Sequence, residues 1–203
     1  MNQESGSGHT IDDSEILWRE AHCFAEICQL AARHIEGELP SPSGEKLDSE
    51  STPLLQYLAA YNRKGYWTDC SQPRDLGTDY RQRAFVTGLA KEELSIRIAK
   101  LTLYSDLIVL AFPPKGGSGC HIPVTVSEFQ PFTWAGMNGD EMIEFYRDIC
   151  SVSAMSELED LWSVTVIDPV WGRNDCLWQR VAEELCYDAA PHPQLADGRS
   201  FLY

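Results

Sequence analysis

The sequence has no long apolar run. Its longest, 107–112, falls far short of the ~20 residues that a bilayer crossing needs, so no membrane span is expected. The first thirteen residues have neither a basic start nor an apolar stretch, which argues against a signal or transit peptide. They are polar and rich in glycine and serine, so 1–13 is expected to be a disordered leader that buries too little to offset its ordering entropy. The expected location is the cytoplasm.

Positive charge is scarce. Sixteen Lys and Arg face 31 Asp and Glu, for a formal charge of −15. That sign repels the phosphate backbone that dominates nucleic-acid affinity, and argues against DNA or RNA as a partner. The seven cysteines are scattered and never closely paired, which speaks for reduced thiols and against a zinc or redox motif. His22 and His34 share a helical stretch at a separation too long for two ligands on one face. Cys120 and His121 are neighbours in a strand-like run, so their side chains point to opposite faces. The glycines around Lys115 precede a strand-like run and not a helix, so they read as a turn and not a phosphate loop. No catalytic set and no metal site follows.

What is present is a 43% hydrophobic, 10% aromatic chain, enough for one substantial core over 14–187, with 188–203 as a tail. Apolar positions from Ile16 to Ile35 recur at helical spacing behind a cap at Asp13 or Ser14, and Gly37 ends that helix. A proline- and serine-rich loop, 38–51, leads to a second helix over 52–61, opened by Thr52-Pro53 and stopped by Gly65. Strands are expected at 66–68, 80–87, 106–112, 121–126 and 162–167, and helices at 91–101, 140–151 and 175–185. Elements of both kinds interleave without a repeat. The expected class is α+β, a mixed β-sheet core with surrounding helices.

Two clusters carry the most chemistry. From Asn62 to Pro73, hydroxyls at Thr68 and Ser71, the amide of Gln72, Asp69, Tyr66 and Trp67 follow a helix stop, a density that suits a ligand rim. From Asp168 to Trp178, Arg173 is placed to pair with Asp168, and Asp175 sits where a first-turn carboxylate complements a helix dipole. A third segment, 131–136, sets Thr133 between aromatics.

Together the clusters resemble the C-terminal, S-adenosylmethionine-binding regulatory domain of eukaryotic methylenetetrahydrofolate reductase. The resemblance runs through Asn62, Arg63 and Gly65, then Thr68, Ser71, Gln72 and Pro73; through Thr133-Trp134 with Gly139 and Glu141; and through Asn174-Asp175-Cys176-Leu177-Trp178-Gln179. It covers roughly 15–187, with Trp18, Pro40 and Thr52-Pro53-Leu54-Leu55 fitting the opening. The chain is also similar to stand-alone bacterial proteins that share the Ser-Gln-Pro and Trp-Gly-Arg-Asn-Asp motifs.

The resemblance implies an adenosyl ligand, S-adenosylmethionine or S-adenosylhomocysteine, held by Thr52 with an acidic neighbour at Glu50, by Thr68 and Ser71 with Gln72, and by Thr133. Glu50, Tyr66 and Trp67 would serve the adenine or the sulfonium. Two positions depart from it: the family's acidic residue aligns with Ser51, and a later threonine with Tyr146. The reductase barrel and its flavin site are absent, so neither the reductase reaction nor FAD is implied. The expected function is a stand-alone binding module, with an acidic protein-interaction module, acting on a partner protein, as the alternative.

Overall fold

The structure, a computed structural model, describes residues 13–41, 47–116, 119–136, 139–173 and 176–185. The expected leader and tail, and Asp175 as a first-turn carboxylate, lie outside these residues, apart from position 13, which opens the first helix.

The long opening helix is two. Helix α1 (Asp13–Glu20) and helix α2 (Phe24–Ile35) are separated by a break at 21–23. Carboxylates take backbone N–H groups at the break and at the start of α2: His22 donates to Glu26 at 2.6 Å and Phe24 to Glu157 at 3.2 Å. Glu157 is 133 residues away, so the periodicity that suggested one helix carried no sign of the break. Gly37 ends α2 as expected, at φ +78, with Glu38 N–H returning to the Arg33 carbonyl and Gly37 N–H to that of His34.

A 3-10 turn (Ser49–Leu54) contains Pro53 and is capped by Asp48, whose carboxylate accepts from Glu50 N–H at 3.1 Å. Helix α3 therefore starts at Leu55 and runs to Arg63, later than the Thr52 start expected.

Strand β1 (Tyr66–Gln72) does not stop at residue 68; it stays paired to β4 (Phe85–Ala90) along its whole length. Between them lie β2 (Asp75–Leu76) and β3 (Tyr80–Gln82). The strand expected over 80–87 is thus β3 and β4, which belong to different sheets. At the crossing, Arg83 N–H donates to Val124 and the Ala84 carbonyl accepts from Asp168 N–H.

Helices α4 (Glu92–Ala99) and α5 (Leu101–Tyr104) precede β5 (Ile108–Phe112), and β6 (Ile122–Ser127) and β7 (Gln130–Ala135) form a hairpin. β7 was not expected, because Pro131 weakens a strand reading. It is tolerated on an edge strand, where one row of N–H groups has no ladder to join. The helix expected over 140–151 ends early, as α6 (Asp140–Tyr146), and α7 (Val152–Leu158) was not expected; Ser151 caps α7 by accepting from Ala154 N–H at 3.2 Å. Strand β8 (Trp162–Ile167) and helix α8 (Cys176–Glu184) complete the chain.

The fold is α+β, with two four-stranded sheets ordered β1-β4-β8-β5 and β2-β3-β6-β7, all pairs antiparallel. In the first sheet, alternation sends Tyr66, Val86, Val164 and Val166 to one face, where α3, α4 and α8 bury them against Tyr57, Tyr61, Ile98, Leu177, Trp178 and Val181. Trp67 and Leu89 point the other way, into a second core with Trp18, Phe24, Ile27, Ile143, Met155 and Leu158 from α1, α2, α6 and α7. Farther along this second face, Phe85 and Ile167 meet Val124 and Ala135 of the other sheet. Helices thus cover one part of the second face and a sheet the other. The clefts lie along the boundary between the two covers.

Candidate functional site

Two clefts meet at β1. The first, of about 410 Å³, is bounded by α1, α2, residues 47–51, the edge of β1 and the end of α6. The second, of about 390 Å³, lies over Thr87, Gly88 and Ser163 of the sheet, beneath Thr133, Trp134, Met142 and Phe145. Asp69, Cys70 and Phe145 line both. Volumes of this size suit a small metabolite.

The β1 side of the site is held by a buried amide. Asn62, fully buried at the end of α3, donates to the Leu58 carbonyl and to Thr68 Oγ1, both at 2.7 Å, and accepts from Thr68 N–H at 3.2 Å. This fixes Thr68 at the cleft wall. The β1–β4 register then slips between Thr68 and Cys70, which makes Asp69 the extra residue of a bulge. The opposing residue is Gly88, where a Cβ would overlap the Trp67 carbonyl oxygen and crowd Thr68 Cα at 2.9 Å. Only glycine lets the two strands approach so closely there.

The bulge sets Asp69 and Cys70 into the shared part of the clefts. Both expose surface, yet the surrounding walls strip enough water to matter. Desolvation raises the Asp69 carboxyl above its ordinary value. The Cys70 thiol is pushed up to about 11, mainly by desolvation and further by the charges of Asp69 and Glu50, so it is protonated at neutral pH and a poor nucleophile.

Aromatic rings form the wall opposite the hydroxyls. Tyr146 stands edge-on to Trp67 at 4.5 Å between centroids, 6.4 Å from Trp18 and 5.0 Å from Phe145. Trp18 is 2% exposed, and its indole N–H has no acceptor among the described residues.

Of the residues singled out in the sequence, Thr68 and Ser71 line the first cleft, along with Trp67, and Thr133 lines the adjoining one. The others do not come together with them. Glu50 and Thr52 are exposed on the 3-10 turn and line neither cleft, whereas Ser51 between them is buried and lines the first. Glu50 instead reaches the Gln82 amide, at 3.5 Å.

Tyr66 faces the opposite core, where its hydroxyl donates to Val86 and Val164 carbonyls at 3.2 and 3.0 Å and burial raises its pKa. Period-two alternation sends it away from Trp67. Gln72 is 7% exposed and ties the two sheets: its amide donates to the Arg83 and Val124 carbonyls at 2.9 and 3.2 Å, and its oxygen accepts from Thr125 at 3.3 Å. Both side chains are fully engaged inside the protein.

The residues missed were Asp48, His34, Ser41 and Phe145, all lining the first cleft. Asp48 carried a signal, since an Asp just before a Ser-rich, proline-containing turn is a cap. The others lay on elements whose relative placement was not legible.

The second cluster is structural. Arg173 forks onto Asp106 at 2.7 and 2.8 Å and turns its Nε to Asp168 at 2.7 and 3.0 Å, as the sequence suggested for the Asp168 pair. Burial still pushes the Asp168 carboxyl up, while the two carboxylates raise Arg173. The side chain of Glu141 lies outside what the structure describes.

A family model described as a domain of unknown function (DUF6919) matches residues 13–188, most of the chain. The chain belongs to the DUF6919 family. The match spans every described helix and strand, so both clefts are built from family sequence and not from an appended segment. No curated protein matches this DUF6919 chain. Among its described residues no three His, Cys, Asp or Glu stand close enough to hold a metal ion, and no helix is long and apolar enough to cross a membrane.

Proposed function

We propose that the chain is a stand-alone binding module for S-adenosylmethionine or a closely related adenosyl metabolite such as S-adenosylhomocysteine, with no reductase activity. The observation that carries this reading is the convergence of Thr68, Ser71 and Ser51 hydroxyls with the Trp67–Tyr146 wall around one cleft of about 410 Å³. Hydroxyls suit the amino-acid end of such a ligand, and aromatic faces suit an adenine or a sulfonium. Thr133 in the adjoining cleft adds a fourth hydroxyl beside the shared residues. Tyr146, where the resembling reductase domains have a threonine, adds a ring to the wall, and Ser51 supplies an oxygen from the turn where Glu50 and Thr52 do not.

Isothermal titration with S-adenosylmethionine tests the reading. Binding in the micromolar range is expected, weakened by about 1 kcal/mol or somewhat more in Thr68→Ala and in Ser71→Ala. Absence of heat and of any thermal shift with either adenosyl compound would remove it.

A second reading, an acidic protein-interaction module, is favoured by the exposed rings of the β6–β7 hairpin: Phe129 is 84%, Phe132 73% and Trp134 44% exposed. Phe129 and Glu128 hold positive φ at the tip, a costly conformation for such residues. Capture of a partner by the wild type, lost in Phe129→Ser/Phe132→Ser, would favour it.

A further inference from the structure

The first cleft has a charge character that the adenosyl reading does not require. Its carboxylates, Asp48 and Asp69, face no lysine or arginine among the described residues that line it, and its imidazole, His34, has Nδ1 3.0 Å from the Leu39 carbonyl. This is a cleft shaped for positive charge. Its other wall is aromatic: Tyr146 and Phe145 present ring surface, backed by the buried Trp67 and Trp18, and a ring face attracts a cation held within about 6 Å.

We propose that this cleft is an onium pocket, which holds the sulfonium centre of S-adenosylmethionine between the aromatic wall and Asp69 and discriminates against the neutral thioether of S-adenosylhomocysteine. The inference rests on the adenosyl reading for the ligand's identity, and on the cleft alone for its charge.

Two observations carry it. The bulge at Asp69 is maintained by a strand approach that excludes any side chain at Gly88, so the carboxylate's place at the cleft is built into the sheet. Asn62 locks Thr68 next to it, so the hydroxyl contacts are the same for a charged or a neutral ligand and cannot discriminate between them. The hydroxyls then hold the zwitterionic end, and Asp69 with the rings selects the onium charge.

The test is titration calorimetry with three probes, S-adenosylmethionine, S-adenosylhomocysteine and tetramethylammonium chloride, on the wild type, Asp69→Asn and Tyr146→Leu. Wild type is expected to prefer S-adenosylmethionine over S-adenosylhomocysteine by about tenfold, from cation–π and charge attraction in a partly desolvated site. In Asp69→Asn and in Tyr146→Leu that ratio falls toward one, whichever way overall affinity moves. Thermal melting of each variant confirms that it is folded. Equal wild-type affinity for the two adenosyl compounds overturns the onium pocket and leaves the adenosyl reading standing. Binding of tetramethylammonium, lost in Asp69→Asn, with no binding of either adenosyl compound, keeps the onium pocket and sinks the adenosyl reading. Silence with all three probes overturns both.

Discussion

The two faces of the first sheet differ in where their hydroxyls and carboxylates find partners, although each face buries one indole N–H, Trp178 on one and Trp18 on the other, that has no acceptor among the described residues. On the face under α3, α4 and α8, hydroxyls find internal acceptors: Tyr61 donates to the Trp178 carbonyl at 2.5 Å and Tyr66 to two strand carbonyls. On the other face, one residue along β1, Trp67 borders a cleft that Ser71 and Asp69 line. A face whose hydroxyls are taken from within serves stability. A face with a cleft, at the boundary between two covers, is where a ligand has a role.

The face under α3, α4 and α8 should show the largest response to truncation. Trp178→Ala removes a fully buried indole from a core of aromatic neighbours and should cost ~3–5 kcal/mol in chemical denaturation. A loss below ~1 kcal/mol would mean that this face is not the stabilising one.

Next comes the strand approach that joins the faces. Gly88→Ala forces a Cβ against Trp67 and Thr68 backbone and should cost ~1–3 kcal/mol, with ligand affinity falling as well because the bulge must shift. Unchanged melting and binding in this variant would separate the bulge from the site.

Asp69 gives a smaller, pH-dependent effect with a definite sign. Its carboxyl is raised in the folded protein, so the native state binds that proton more tightly than the unfolded chain does. The contribution favours the fold fully below the ordinary value of 3.8 and is lost as pH rises through the raised one. Asp69→Asn should therefore melt higher than wild type at pH 7, with the difference shrinking to nothing as pH falls below 4, roughly the unfolded carboxylate range. A difference independent of pH would show that Asp69 is not desolvated.

The smallest stability effect belongs to the cleft hydroxyls. Ser71→Ala should leave stability within about 0.5 kcal/mol while weakening ligand binding, the reverse of Trp178→Ala. Comparable loss of stability and binding would erase the distinction between the two faces.

Element identities read well wherever the signal was local. Gly37 and Gly65 ended helices, β5, β6 and β8 stood where apolar runs put them, and the Leu177, Trp178, Val181 and Leu185 stripe of α8 is buried. Errors arose where a distant group decided the outcome. Glu157 supplied an acceptor that split the first helix, and the partner strand β4 kept β1 extended through Ser71 and Gln72, where turn-forming residues suggested a loop. In the site, Thr68, Ser71 and Thr133 were legible as hydroxyls near aromatics. Tyr66 and Gln72 looked equally suitable, and only the side of the strand and the place of the second sheet showed that their polar groups were already taken.

By itself the sequence determined the α+β class, most helix stops and the residue types available for a site, because caps, glycines and apolar periods act over a few positions. The tertiary structure decided which of those residues share a cleft: the bulge at Asp69, the exclusion of Tyr66, and the pairing of Ser51 with Thr68 in place of Glu50 and Thr52. Those outcomes depend on strand register and on contacts between elements far apart in the chain, and no local pattern encodes a distance across such a gap.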